Sequence, residues 1–185
     1  LYSSSLETNS LATEFFFFFG QVAIVTTPVN TGDYSLRTVG NGVNGGGSGR
    51  ARFSPSGTNV VFIRGYINIK SSSNTASDII ETLTSGGDSA VGISLDSNNT
   101  LILRNENVGT GIGTSSALSS NNWYLVELGV DTTVGSTSIV EGRLNGTTFS
   151  KGTINLSALS PSDSSSAIFG IGITNSLTAR TVFWY

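Results

Sequence analysis

The residues of this sequence that could do chemistry are carboxylates, because the chain has 12 Asp and Glu but no His and no Cys. A nucleophilic Ser or Cys usually takes its base from a neighbouring His, so sites of the Ser–His–Asp and Cys–His kinds are excluded. Acid–base work by a pair of carboxylates remains possible.

Glu127 and Glu141 form the best such pair in the sequence. Each lies on the outward face of a predicted strand, and the two strands should be hairpin neighbours. Retaining glycosidases hold two carboxyl groups ~5 Å apart, which cross-strand neighbours can match. Arg143 lies one outward position away and would neutralise the pair. A surface salt bridge is therefore the favoured interpretation.

Sugar binding would use another kind of residue, an exposed aromatic ring near Asn, Asp or Arg. Tyr34, Tyr66 and Trp184 are the candidates, since a sugar ring can stack on an aromatic face. Packing in the core or on a sheet surface is the more common role of such residues, and it remains open for all three.

Five consecutive phenylalanines at 15–19 pose a different question. If this run is a strand, alternate side chains point to opposite faces, and both faces need cover. Phe15, Phe17 and Phe19 would then face the core of the domain. We expect Phe16 and Phe18 to form an interface with a second copy, a neighbouring domain or a crossing loop.

Composition limits the class of protein. Only 11% of the 185 residues are charged, the formal net charge is −3, and the nine Lys and Arg form no basic cluster. Nucleic acid is thus not expected as a partner, because binding it needs clustered cations. No run of ~20 apolar residues predicts a membrane span. We expect one domain covering 1–185, taken from a longer chain or assembly because the sequence begins at Leu1 without Met.

Short strand-like runs separated by Gly, Ser, Asn and Asp predict an all-β sandwich or barrel. The period of two is clearest in 60–70, where alternate positions from Val61 to Ile69 should face the core. The same pattern directs Tyr124, Val126, Leu128 and Val130 inward, and then Val140, Gly142 and Leu144. Asn145-Gly146 is a strong hairpin turn signal, and 96–99 is a weaker one.

Several segments together resemble the concanavalin A-like (laminin-G-like) lectin and glucanase superfamily. They are "SLETN", "VAIVTTPVNTGDYSLRT", "NNWYLVELGVD", "SIVEGRLNG" and the closing "TVFWY". The resemblance implies an antiparallel two-sheet β-sandwich of the jelly-roll type. It also implies a possible structural calcium ion held by Glu7, although the closing paired Asp of such modules would fall after Tyr185.

Hydrolases of that superfamily carry acids in an E-x-D-x-(x)-E pattern, which places them on one face of a strand. No two acids of this chain are two positions apart. We therefore expect no enzyme, but a lectin-like surface module that recognises glycan or protein. The alternative is a structural module of an extracellular assembly, such as a virion decoration, tail or fibre protein. Either interpretation predicts an extracellular or particle-surface location.

Overall fold

The computed structural model describes residues 17–19, 21–41, 49–53, 59–70, 76–84, 88–157, 167–174 and 179–185. These residues form fourteen strands in two seven-stranded sheets, with every strand pairing antiparallel. The predicted antiparallel β-sandwich is therefore confirmed. In the part of the chain described, no helix is long and apolar enough to cross a membrane.

The first sheet has the strand order β1-β4-β13-β6-β7-β8-β9. Its strands are β1 (Phe17–Phe19), β4 (Gly49–Phe53), β6 (Ser77–Thr84), β7 (Ser89–Leu95), β8 (Thr100–Asn105), β9 (Thr110–Ala117) and β13 (Ala167–Thr174).

The second sheet has the order β12-β11-β10-β5-β14-β3-β2. Its strands are β2 (Gln21–Val25), β3 (Ser35–Asn41), β5 (Val60–Ile69), β10 (Trp123–Asp131), β11 (Ser138–Leu144), β12 (Thr147–Ile154) and β14 (Ala179–Trp184). A 3₁₀ turn at Gly135–Thr137 connects β10 to β11.

The core lies between the sheets and takes one face of the strands whose side chains the structure describes. On β5, Val61, Ile63, Ile67 and Ile69 are buried, whereas Val60, Phe62 and Arg64 are exposed. On β10, Val126, Leu128 and Val130 are buried in the same cluster. The alternation predicted for these strands is confirmed, and β5 is the central strand of the second sheet.

Both predicted hairpin turns are present. Asn145 (φ 51°) and Gly146 (φ 80°) connect β11 to β12 with positive φ at both positions, as a tight two-residue hairpin requires. Between β7 and β8, Asp96 Oδ1 accepts hydrogen bonds from the backbone N–H groups of Asn98 (2.8 Å) and Thr100 (2.7 Å). This carboxylate therefore fixes the turn in which Asn99 has φ 58°.

The closing aromatic strand corrects one expectation. Trp184 was a candidate to stack on a sugar, but it is only 1% exposed and lies in the core. Its indole N–H donates to Thr38 Oγ1 (3.3 Å), and Thr38 Oγ1 donates to Val182 O (3.2 Å). The ring has no free face for a ligand, because β14 pairs with both β3 and β5 and turns this side chain inward.

Replacing Ile67 tests the assigned faces. Ile67→Ala should lower the free energy of unfolding by about 2–5 kcal/mol, because it removes buried apolar atoms and leaves a cavity. Ile139→Ala is the matched control, since Ile139 is 42% exposed on the opposite face, and its cost should stay within about 0.5 kcal/mol. Urea denaturation measures both. Equal costs for the two variants would contradict the assignment.

Candidate functional site

A group of polar residues lies on the outer face of the first sheet, on β6 and β7. Ile80 pairs with Ile93 in the core, so the adjacent pairs Glu81–Gly92 and Asp78–Ser94 face outward. Ser94 Oγ donates to Asp78 Oδ1 (2.6 Å), and Ser89 Oγ donates to Glu81 Oε1 (3.3 Å). Two carboxylates are thus held on one face of one strand.

A β-bulge brings these two carboxylates onto the same face. Asp78 and Glu81 are three positions apart, which in a regular strand places side chains on opposite faces. The register shifts between Asp78 and Ile80, so that Ile79 is an extra residue on β6. A spacing of two positions marks acids on one face only in a regular strand. Asp78 and Glu81 do not have that spacing, because the bulge changes which residues share a face.

Gly92 makes room for the bulge. A Cβ atom at Gly92 would lie 2.6 Å from the backbone oxygen of Ile80, closer than a side chain can approach. The bulge therefore depends on a residue of the neighbouring strand that has no side chain. The one signal in the sequence that could have indicated the bulge is a glycine on the strand that neighbours Asp78 and Glu81.

Strand β8 adds a cation and a third carboxylate. Arg104 pairs with Gly92 and so lies in the same row as Glu81. Its Nε donates to Glu106 Oε1 (3.1 Å), and its Nη2 donates to the backbone oxygen of Gly109 (3.0 Å). Asp78, Glu81, Arg104 and Glu106 are named the carboxylate cluster below.

The environment of Glu106 changes its acidity. Burial, followed by the negative charge of Asp78, raises the pKa of the Glu106 carboxyl from 4.5 to about 7. Arg104 opposes the increase through its charge and its hydrogen bond, and the charge of Glu81 adds to it. A carboxyl group with this pKa can take up or release a proton near neutral pH, which is what a general base or acid needs.

The pairing register extends this site into a row across the sheet, named the polar row below. Its members alternate between charged residues and glycines, and in spatial order they are Arg52, Gly170, Glu81, Gly92, Arg104 and Gly111. Every second strand therefore contributes a glycine, which has backbone but no side chain, to the polar row. Of these members, Glu81 and Gly92 are buried, Arg104 is half-buried and Gly111 is exposed, so the row is open to solvent at its β8–β9 end.

The pair proposed from sequence, Glu127 and Glu141, lies elsewhere, on the outer face of the second sheet. Arg143 Nε donates to Glu141 Oε1 (2.8 Å), and Arg64 Nε lies 3.9 Å from Glu127 Oε1. The hydrogen bonds from Arg143 and Thr148 lower the pKa of Glu141. The salt-bridge interpretation is confirmed, since each carboxylate lies beside an arginine side chain.

Two aromatic candidates remain accessible. Tyr34 is half-buried and lines a shallow depression of about 520 Å³ at the β2 edge of the second sheet, together with Ile24, Val25, Thr26, Thr27 and Arg37. Tyr66 is half-buried on the outer face of β5, opposite Leu125. Neither residue contributes to the carboxylate cluster, and both stay candidates for sugar stacking.

Three of the predicted site residues lie where the structure describes no side chain. Glu7 and Phe16 lie outside the described residues, and Phe18 lies in β1 with its side chain not described. The calcium and interface predictions therefore stay predictions. Among the residues that the structure does describe, no group of three or more acidic, His or Cys side chains is placed to hold a metal ion.

Comparison with known proteins shows which solved structures have a similar fold. No family model matches the chain, and neither does any curated protein sequence. Among solved structures, the cellulose-induced protein Cip1 is similar with a TM-score of 0.67 at 20% identity, over 90% of this chain and 83% of that one.

Two enzymes are similar to a comparable degree. An endo-β-1,4-glucuronan lyase from the fungus Trichoderma reesei has a TM-score of 0.64 at 16% identity, covering 92% of this chain and 88% of that chain. The alginate lyase Aly36B, in complex with alginate trisaccharide, also has a TM-score of 0.64, at 12% identity, covering 94% and 87%. These neighbours are jelly-roll β-sandwiches, so the resemblance stated above is confirmed for the fold.

The expectation that the chain is not an enzyme is contradicted. Lyases share this fold, so the fold does not imply a binding module alone. The expectation also rested on the absence of acids two positions apart, whereas the bulge at Ile79 brings Asp78 and Glu81 to one face without that spacing.

The acidity of Glu106 leads to a test. An acid whose folded pKa exceeds its unfolded pKa stabilises the fold below the unfolded pKa, and this stabilisation is lost as pH rises through the folded pKa. From pH 4.5 to above 7, wild type should therefore lose stability relative to Glu106→Gln. Urea denaturation at several pH values measures the difference. A difference that does not change over this range would contradict the raised pKa.

Proposed function

We propose that this chain binds a polysaccharide along the polar row on the outer face of the first sheet. The observation that carries the proposal is the alternation of glycines with Glu81 and Arg104 across neighbouring strands. A linear polymer needs polar groups at regular intervals and an open approach, and the row is open at its β8–β9 end, where Arg104 is half-buried and Gly111 is exposed, while Glu81 and Gly92 are buried.

The chemistry of the row suits sugar hydroxyl groups. Carboxylates accept and a guanidinium donates, so together the half-buried Arg104 and Glu106 can bind neighbouring hydroxyls that act in both senses, whereas Glu81 is buried. Ser94 and Ser89 already hold the two β6 carboxylates in position. A preorganised site loses less side-chain entropy when the ligand binds.

The comparisons support the same ligand class. The alginate lyase is described in complex with an alginate trisaccharide, and the other lyase is named for glucuronan. For this chain they suggest a glycan as partner and an extracellular or particle-surface location. The alternative of a structural module depends on the phenylalanine run, which the described residues do not test.

Glu106 favours a second candidate function, acid–base catalysis on the bound glycan. With a pKa of about 7, its carboxylate can accept a proton from the sugar in a lyase reaction, or from the attacking water in a hydrolase reaction. Arg104, bonded to the same carboxylate, can stabilise negative charge that develops on the substrate. This candidate requires the polysaccharide to lie over β8.

Filling one glycine position tests the binding surface without changing any charge. A Cβ at Gly111 would contact only Ile102 Cγ2, at 3.3 Å, so Gly111→Leu should fold and present its side chain in the row. We expect affinity for the polysaccharide to fall at least about tenfold. Affinity electrophoresis in gels containing alginate, glucuronan, mannan or β-glucan identifies the ligand and measures the loss.

The matched control for Gly111→Leu is Ser116→Leu, an exposed position on the same strand five residues away, roughly 17 Å. It adds a similar apolar side chain outside the polar row and should leave affinity unchanged. Equal losses for both variants, or no loss for Gly111→Leu, would contradict binding along the row.

Catalysis is tested separately with Glu106→Gln, which keeps the shape of the side chain but cannot take up a proton. Turnover of the polysaccharide that binds should fall about 10²–10⁴-fold, while affinity stays within a few-fold. The wild-type rate should increase with pH around 7 if Glu106 acts as a base. Binding without turnover, or turnover that survives Glu106→Gln, would reject the catalytic candidate and leave the binding proposal in place.

A further inference from the structure

The outer face of the second sheet carries an exposed aromatic ring that the candidate site does not use. Phe62 on β5 is 58% exposed, far more than a ring packed in a core. Val60 and Ile139 flank it as partly exposed apolar residues in the next row of the sheet. The ring therefore belongs to a surface, not to the interior of the sandwich.

Gly129 explains why this ring lies close to the sheet. Phe62 pairs with Gly129 of β10, and a Cβ at Gly129 would lie 2.7 Å from Cε1 and 3.1 Å from Cδ1 of the ring. The ring occupies the space that a side chain at this position would take. One face of Phe62 thus rests on backbone, and its exposed surface is directed to solvent.

The charges next to the ring are unequally exposed. The side chains of Arg64 and Arg143 are 64% and 38% exposed, whereas those of their partners Glu127 and Glu141 are 13% and 15% exposed. The Arg143 guanidinium carbon lies 6.0 Å from the centre of the Phe62 ring.

In each ion pair beside Phe62 the cation is therefore the more exposed partner. The next strand adds Lys151, which is exposed and pairs with Glu141. The third acid on this face, Asp131, accepts a hydrogen bond from the Thr133 N–H. Close to Phe62 these three acids balance Arg64, Arg143 and Lys151 in formal charge, and within the two ion pairs the arginine is the more exposed partner, in a chain of net charge −3.

We propose that Phe62, with Arg64 and Arg143, forms a second glycan-binding site, specific for acidic sugars of the uronate type. The apolar face of the sugar ring stacks on Phe62, and its carboxylate binds the guanidinium groups. Arginine suits this role because its planar fork matches a carboxylate. A uronate carries its carboxylate directly on the ring, so one sugar contacts both the aromatic ring and an arginine.

This site is independent of the polar row. The two lie on outward faces of different sheets, with the core between them. Their ligand preferences also differ, because the first sheet presents three carboxylates with Arg104, whereas the second presents exposed cations. The proposal therefore goes beyond the proposed function and can fail or succeed without it.

Titration with two oligosaccharides of equal length tests the proposal. Hexamannuronate and β-1,4-linked mannohexaose differ in having a carboxylate or a hydroxymethyl group on each ring. Backbone amide NMR then locates the contact, since Gly129 and Gly142 report on the second sheet, and Gly92 and Gly111 report on the polar row. We expect hexamannuronate, and not mannohexaose, to shift Gly129 and Gly142.

Variants assign the contact to particular side chains. Phe62→Ala and Arg143→Gln should each weaken hexamannuronate binding at the second sheet about tenfold or more. Gly129→Ala should weaken it as well, because the added methyl displaces the ring without removing any group of the site. Lys70→Gln is the control, an exposed cation six residues along the chain from Arg64, roughly 20 Å away, and should have no effect.

The outcomes separate this proposal from the previous one. Shifts confined to Gly92 and Gly111 would overturn the second site and leave the polar row in place, and shifts confined to Gly129 and Gly142 would do the reverse. Equal binding of mannohexaose at the second sheet would overturn the preference for acidic sugars. Self-association that Phe62→Ala abolishes, with no oligosaccharide shift at Gly129, would instead assign the surface to a second copy of the chain.

Discussion

The rest of the structure depends on one constraint, which is that strands of both sheets give one face to a shared core. Ile67, Trp184 and Leu36 of the second sheet pack in one cluster with Ile80, Ile93 and Leu103 of the first. Functional side chains can then lie only on the two outward faces or at the edges. Which residues reach those faces is decided by register, so a shift of one residue changes the chemistry of a whole strand.

The sequence predicts the regular part of this arrangement well. In β5, β10 and β11 the apolar residues of the core lie where the period of two puts them, although the outward positions Asn68 and Gly129 are buried as well. Asn145-Gly146 fixes the β11–β12 hairpin by the backbone conformation of its two residues, which is local information. These features need no knowledge of distant residues, and for this reason they can be derived from sequence.

The carboxylate cluster could not be derived in the same way, because it depends on contacts between residues distant in sequence. The bulge at Ile79 is accommodated by Gly92, and only the fold brings Glu106 close to Asp78. The period of two in β5 places Phe62 on the outward face, but the position of its ring depends on Gly129, which lies 67 positions later in the chain. For Trp184 the expectation was wrong in the opposite sense, because a residue proposed to be exposed is buried. The residues next to it in the sequence do not indicate that burial.

The two outward faces use charge in opposite ways, and the difference follows from burial. On the first sheet, Glu81 and Asp78 are buried and fixed by serine hydroxyls, so that a third carboxyl nearby is hard to ionise. On the second sheet, arginines neutralise the glutamates, and Glu141 ionises more readily than usual. A face that holds a proton near neutral pH suits acid–base chemistry, whereas a face of exposed guanidinium groups suits anion recognition.

Because the two faces point away from each other across a core ~10 Å thick, one short oligosaccharide cannot contact both. A protein that binds glycan on both faces would therefore connect two separate polysaccharide molecules. Alternatively, it would hold one long polysaccharide on one face while the other face acts on a second polysaccharide.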